Sequence, residues 1–143
     1  MPRKPRVRQN DPRFMPMVVL PADAPMLPEQ HEIEAAWILA RHFSTVVEFL
    51  RPVRGFEIKT ADLVMNGVIW ELKTPTGGSR TTVSNQFKRA SKQSSHVVFD
   101  ARRIHLSEEE ALHQIHREMK KRKAIKSVLF IGKDGGIIDV QPS

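Results

Sequence analysis

The sequence predicts a mixed α/β domain, a central sheet flanked by helices. Three observations carry that expectation. Segments with helical spacing of apolar residues are interleaved with short β-rich runs. An Asn66-Gly67 pair sits between two of those runs. A Ser107-x-x-Glu110 box opens the last helical segment. The 143 residues make one ordinary domain by length, and 40% of them are hydrophobic, enough to bury a core without covalent staples.

Residues 29–43 (EQHEIEAAWILARHF) read as a helix, with Glu in the first turn, where the helix dipole favours anions. Ala35, Ala36, Leu39, Ala40 and Phe43 supply its apolar stripe. Residues 45–50 (TVVEFL) read as a strand ended by Arg51-Pro52. Residues 61–65 (ADLVM) and 68–73 (VIWELK) flank Asn66-Gly67, the strongest short hairpin signal, because both turn positions tolerate positive φ. Residues 75–82 (PTGGSRTT) are a polar loop, and 83–93 (VSNQFKRASKQ) suit a helix with Val83, Phe87 and Ala90 on one side. Residues 96–100 (HVVFD) form a strand. The capping box then starts a helix running to about Lys123, with Leu112, Ile115 and Met119 facing the core. Residues 127–131 (SVLFI) and 137–140 (IIDV) close a last hairpin around Lys133-Asp134-Gly135-Gly136.

Seven of the ten prolines fall in residues 1–28, and within residues 1–13 Arg3, Lys4, Arg6, Arg8 and Arg13 face a single Asp11. Proline fixes φ and removes a donor, so residues 1–28 are expected to be a basic, extended arm or linker, with the folded domain over 29–143. No apolar run approaches the ~20 residues of a membrane span, so no membrane partner is expected, nor a leader peptide. Cysteine is absent, which excludes disulfides, thiolate metal sites and cysteine nucleophiles. Lys plus Arg number 23 against 16 Asp plus Glu, a formal charge of +7 that favours a polyanionic partner, most often nucleic acid.

The chemistry is concentrated at the hairpin. A two-residue turn at 66–67 places Asp62 opposite Glu71, with Cβ atoms ~5 Å apart. Strand alternation adds Lys73 to the same face and turns Trp70 and Leu72 away. Facing carboxylates repel, and Lys73 neutralises one of them. A divalent cation would offset the other, and oxygen-only ligands suit Mg²⁺ or Mn²⁺. Such a cation polarises a phosphate and activates a bound water, while a lysine orients the water or stabilises developing charge. A third carboxylate is expected from the first helix. Glu32 shares the core stripe and is favoured; Glu34, on the stripe of Ile38 and Arg41, is second. The plainer alternative is a same-face Glu71–Lys73 salt bridge with Asp62 capping its strand.

The string Asp62-Leu-Val-Met-Asn-Gly-Val-Ile-Trp-Glu71-Leu-Lys73 resembles the D…(D/E)-x-K signature of the PD-(D/E)XK nuclease superfamily. Together with Glu32-Ile-Glu34-Ala-Ala and Asn85-Gln86-Phe87-Lys88…Lys92-Gln93, it is most similar to the C-terminal tRNA-nuclease domain of contact-dependent growth inhibition toxins, the CdiA family. The resemblance covers roughly residues 29–100. It implies a restriction-endonuclease-like αβββαβ core and a metal-dependent nuclease. Glu32 or Glu34, Asp62 and Glu71 would be ligands, and Lys73 the catalytic lysine. The helix holding Lys88, Lys92 and Gln93 would face nucleic acid; from the residues themselves Lys88, Arg89 and Lys92 cover more than one side of that helix, one to contact backbone phosphates and the rest solvated. It further implies action in the cytoplasm after delivery from another cell, and an acidic immunity protein as partner. No organic cofactor is expected.

Other residues are weaker candidates. His113 and His116 have metal-ligand spacing but flank a charged face. Lys120-Lys121-Arg122-Lys123 could hold phosphate, although the helix dipole alone favours cations there. Trp37 and Trp70 lie in apolar runs and are expected in the core. Three functions stay open at this point: an RNA nuclease with a tRNA preference, a DNA endonuclease of a prophage or restriction-like system, and a non-catalytic nucleic-acid-binding module.

Overall fold

The computed structural model of the protein describes residues 15–21, 27–50, 61–90 and 95–142. Seven strands form one sheet: β1 (Met17–Val19), β2 (Val46–Phe49), β3 (Ala61–Met65), β4 (Val68–Lys73), β5 (His96–Asp100), β6 (Ser127–Ile131) and β7 (Ile137–Val140). They lie side by side in chain order, from β1 at one edge to β7 at the other. β1 and β2 are parallel, as are β4, β5 and β6, while β3 and β7 run against their neighbours. Among the described residues there are three helices: α1 (Gln30–Phe43), α2 (Thr82–Ala90) and α3 (Glu108–Lys121). None is long and apolar enough to cross a membrane.

The expected mixed α/β architecture is observed, and each element anticipated from the sequence is present, with small shifts at the ends. One strand was not anticipated. Met17–Val19 lies within the segment read as an arm, yet pairs in parallel with β2, Val18 against Val47. Its partner lies across the chain, and pairing overrides the local proline content. Residues 1–14 of the arm lie outside the described residues.

The sheet has two differently covered faces. α1 packs Ala35, Ala36, Leu39 and Ala40 onto one, against Val47, Phe49, Leu63, Leu72, Val98 and Leu129. α2 and α3 pack Val83, Phe87, Ile115 and Met119 onto the other, against Val97, Phe99, Val128 and Phe130. A ladder of stacked rings, Phe87 on Phe99 and Phe99 on Phe130, runs beneath α2 at centroid spacings of 5.9 and 6.1 Å. Burying each such side chain contributes about 1.5–3 kcal/mol. β1–α1–β2 and the crossovers through α2 and α3 join parallel strands stepping the same way across the sheet. With α1 on the opposite face, its connection turns with the opposite hand.

Local chemistry accounts for the ends of these elements. Ser107 Oγ accepts from the Glu110 N–H and caps α3. α1 ends at Ser44, in the left-handed region at φ 49°. Asn66 (φ 53°) and Gly67 (φ 77°) take up the turn between β3 and β4, and Thr45 Oγ1 donates to Asn66 Oδ1 at 2.8 Å.

Candidate active site

The Asn-Gly turn sets the register of β3 on β4. Met65 pairs with Val68, Val64 with Ile69, Leu63 with Trp70, and Asp62 with Glu71, as the sequence predicts. Leu63 and Leu72 face α1, so Asp62, Glu71 and Lys73 project from the α2–α3 face. There Glu71 pairs in register with Val97 of β5, and Lys73 with Phe99. The ring ladder and α2 therefore close over a charged strand end.

Lys73 Nζ stands 3.1 Å from Glu71 Oε1, with the two side chains 3% and 0% exposed. Asp62 is half-buried and is the member of the trio nearest to solvent. Burial pushes its carboxyl above the ordinary value of 3.8, the Glu71 charge across the strand pair adds to that, and Lys73 pulls it back. Two carboxylates and one ammonium in a partly desolvated place leave an excess of negative charge. That excess can be met by a proton on Asp62 or by a cation.

The structure brings Asp62, Glu71 and Lys73 together. It does not bring Glu32 or Glu34 to them. α1 lies on the other face of the sheet, and the Glu32 carboxylate accepts from the Glu29 N–H at 2.8 Å, closing the first turn of its own helix. Glu34 is exposed, near enough to Arg102 for its charge to raise that guanidinium's pKa, after the larger contribution of the Asp100 hydrogen bond. Among the described residues no group of three His, Asp or Glu side chains could hold a metal. What remains is a two-carboxylate arrangement. This fits Mg²⁺, which keeps several waters and takes one or two carboxylates plus substrate phosphate oxygens.

Lys88 and Arg89 are exposed on α2, while Lys92 and Gln93 lie outside the described residues. His113 and His116 are exposed on α3. Trp37 is half-buried with the Arg41 guanidinium 5.2 Å from its ring centroid, and half-buried Trp70 tilts against His96 on the α1 face.

Two features at the same end of the sheet escaped the sequence. Arg102 clamps the buried Asp100 with Nε to Oδ1 at 2.9 Å and Nη2 to Oδ2 at 2.8 Å. Its Nη2 also donates to the His31 carbonyl at 2.8 Å. The His31 ring in turn lies 3.1 Å from the hydroxyl of Thr74, the residue after Lys73. The start of α1 is thereby tied to the ends of β4 and β5. The legible signal was Asp100-x-Arg102 directly after a strand. The loop after β4 is tied as well: the His105 N–H donates to the Gly77 carbonyl at 3.0 Å, and a Cβ on Gly78 would come within 2.4 Å of the His105 carbonyl oxygen.

The family model described as the contact-dependent growth inhibition CdiA C-terminal domain matches residues 59–137, more than half of the chain. That span holds Asp62, Glu71, Lys73, α2 and α3, and leaves out α1. A solved structure, the CdiA-CT/CdiI toxin and immunity complex from Burkholderia pseudomallei, contains a chain of similar fold. The TM-score is 0.52 at 18% sequence identity, covering 88% of this chain and 99% of that one. No curated protein matches the sequence.

Proposed function

Because this chain belongs to the contact-dependent growth inhibition CdiA C-terminal domain family, we propose that it is a toxin domain whose activity is metal-dependent hydrolysis of phosphodiester bonds in nucleic acid, with RNA, and tRNA in particular, as substrate. On this reading it is a PD-(D/E)XK nuclease in which Asp62 and Glu71 hold Mg²⁺ or Mn²⁺. One observation carries the reading: Asp62 and Glu71 face each other in hydrogen-bonded register with Lys73 Nζ 3.1 Å from Glu71.

The divalent cation, when bound, polarises a phosphate and lowers the pKa of a coordinated water. The rest is the work of the chain's own side chains. Asp62, the half-buried one, is the ligand that substrate meets first, and its raised pKa makes it the group most responsive to an arriving positive charge. Glu71 is fixed by its ion pair and holds its carboxylate still. Lys73 keeps its ammonium beside the developing phosphorane charge, where low dielectric strengthens the attraction. The clamp of Asp100, Arg102 and His31 holds the ends of β4 and β5 together, so that this geometry is preformed. Delivery from another cell and action in the recipient's cytoplasm belong to the same proposal. So does an acidic immunity protein, since the similar solved structure is titled as a toxin and immunity complex.

Purified protein mixed with labelled tRNA and labelled duplex DNA, each with and without EDTA, tests the proposal. Cleavage of tRNA that EDTA stops and that Asp62→Asn lowers at least ~100-fold is expected, a loss of several kcal/mol of transition-state stabilisation. Undiminished cleavage in Asp62→Asn or Lys73→Ala would sink it, and cleavage of DNA alone would replace the substrate. One observation favours a second reading. Complete burial of Glu71 and Lys73 also suits a non-catalytic binding module, whose melting temperature would not move on adding Mn²⁺.

A further inference from the structure

The two poles of the sheet differ in charge. β4, β5 and β6 run in parallel, and α2 and α3 return between them on the same face. Both helices therefore run antiparallel to these strands and end at the same pole, where β5 and β6 begin. The N–H groups of Lys126 and Ser127 donate to the Ser95 carbonyl there and join the two strand starts. At this pole Arg89, Arg117, Lys120, Lys121, Lys123 and Lys126 are all exposed. The nearby acid is the buried Glu118, taken up by Arg122 at 3.0 Å and Lys121 at 3.8 Å. Asp139 is also close, but its register with Leu129 turns it to the α1 face. The opposite pole carries the exposed cations Arg80, Arg103 and Lys133 but also Glu108, Glu109 and Glu110 at the start of α3 and Glu29, Glu32 and Glu34 around the start of α1.

Helix dipoles account for only part of this. Their pull on cations fades within the last turn. Arg117 lies before that turn, and Lys123 and Lys126 lie beyond the end of α3, in the connection to β6. Among the described residues Arg117, Lys120, Lys123 and Lys126 have no carboxylate within salt-bridge distance. Protein interfaces centre on apolar and aromatic anchors and are poor in lysine. Among the described residues the exposed large apolar side chains are Met15, Met17, Leu20, Leu27, Val46, Ile69 and Ile138; none lies on α2 or α3, and Val46 and Ile69 lie at this pole on β2 and β4, beside the cations rather than among them. A surface of unpaired cations on helices that present no exposed large apolar side chain matches a phosphodiester backbone.

We propose that the pole formed by the ends of α2 and α3 is a docking surface for a nucleic-acid backbone, separate from the Asp62–Glu71–Lys73 trio. It rests on the nucleic-acid reading above and adds where the substrate is held. The level of Ser95 lies two residues along β5 from Val97, the register partner of Glu71, and four from Phe99, that of Lys73, so roughly 7 Å separates the surface from the facing carboxylates along the strand and roughly 13 Å from Lys73. At 3.4 Å of duplex axis per phosphate of one strand, that is about two to four nucleotides. The surface grips a stem while a bond about two to four nucleotides away reaches the trio.

The test uses the full chain carrying Asp62→Asn, so that bound nucleic acid is not consumed. Fluorescence anisotropy with labelled tRNA and with a labelled 20-bp DNA duplex is measured over a salt series. Lys120→Gln, Lys121→Gln, Lys123→Gln and Lys126→Gln are combined in one variant, and Arg80→Gln with Arg103→Gln, exposed at the other pole, in a control. The fourfold variant is expected to bind at least ~10-fold more weakly at low salt and to lower the slope of log affinity against log salt by about 3, since each lost phosphate contact removes roughly 0.7–0.9. The control should change the slope by less than half as much per charge removed. An unchanged slope in the fourfold variant, or an equal loss per charge in the control, overturns the proposal. So does a fourfold variant that keeps its nucleic acid and instead loses an acidic immunity protein. Binding through this pole by a protein that cleaves nothing would uphold the surface and sink the nuclease reading; cleavage with an indifferent pole would do the reverse.

Discussion

The two faces of one sheet bury charge in different ways. On the α1 side the cluster from Val47 to Ile131 is apolar, and the buried Asp100, in register with Ile131, is held through both oxygens by Arg102. On the α2–α3 side the β5–β6 half is equally apolar, but the β4 strand beside it buries Glu71 and Lys73 completely. A carboxylate held through both oxygens by a guanidinium needs no function to explain it. A buried ion pair facing a second carboxylate does, because its desolvation cost can exceed its Coulombic gain. The difference singles out the α2–α3 face of β3 and β4, where the proposed chemistry would sit.

The largest effect should come from breaking the pair on one side only. Lys73→Met removes the ammonium 3.1 Å from the buried Glu71 carboxylate, and should lower unfolding free energy by about 3–5 kcal/mol in urea titrations. That is as much as a core deletion on the other face, where Leu39→Ala should cost about 2–5 kcal/mol. Removing both charges together sharpens the contrast. Glu71→Leu with Lys73→Met should be neutral or gain up to about 1–4 kcal/mol while abolishing cleavage. A double variant that unfolds as readily as Lys73→Met alone would mean that the pair is there for the fold.

A smaller effect is carried by pH. The Asp62 carboxyl has its pKa raised in the folded chain, so over the window from its ordinary value of 3.8 up to the raised one the folded state binds more protons than the unfolded state. Stability therefore falls as pH rises through that window, and the loss is complete above it. Asp62→Asn removes this dependence. By thermal unfolding at pH 7 the variant should be at least as stable as the parent, with the advantage shrinking on acidification below the window. A variant less stable than the parent at pH 7 would show that Asp62 is a structural carboxylate like Asp100, which Arg102 holds from two nitrogens. The smallest effect is local. Ser107→Ala should cost about 1 kcal/mol by removing the cap of α3, and should leave cleavage unchanged, because α3 touches neither Asp62 nor Glu71 through that cap.

The hairpin was legible because its information is local. Asn-Gly takes positive φ at two successive positions, the turn fixes the register, and the register alone puts Asp62 opposite Glu71. The unpredicted β1 had no such signal: three residues between prolines become a strand only because β2 is there to receive them. Glu32 illustrates a subtler limit. Its place on the core stripe of α1 was readable from helical spacing, and it is half-buried, but the spacing says nothing about which face of the sheet α1 covers. A connection of the same hand as the crossovers through α2 and α3 would have set α1 above Asp62 and Glu71; the opposite hand sets it behind them.

By itself the sequence determined the elements, the turn and the trio of charges on one strand face, because φ preferences and the two-residue period of a strand act between neighbours. Only the tertiary structure decided that Lys73 would be sealed beside Phe99, that Arg102 would reach across to the start of α1, and that the cations of two separate helices would gather at one pole. Those outcomes depend on which face each helix covers and on the direction in which it returns, and both are settled by packing between segments far apart in the chain.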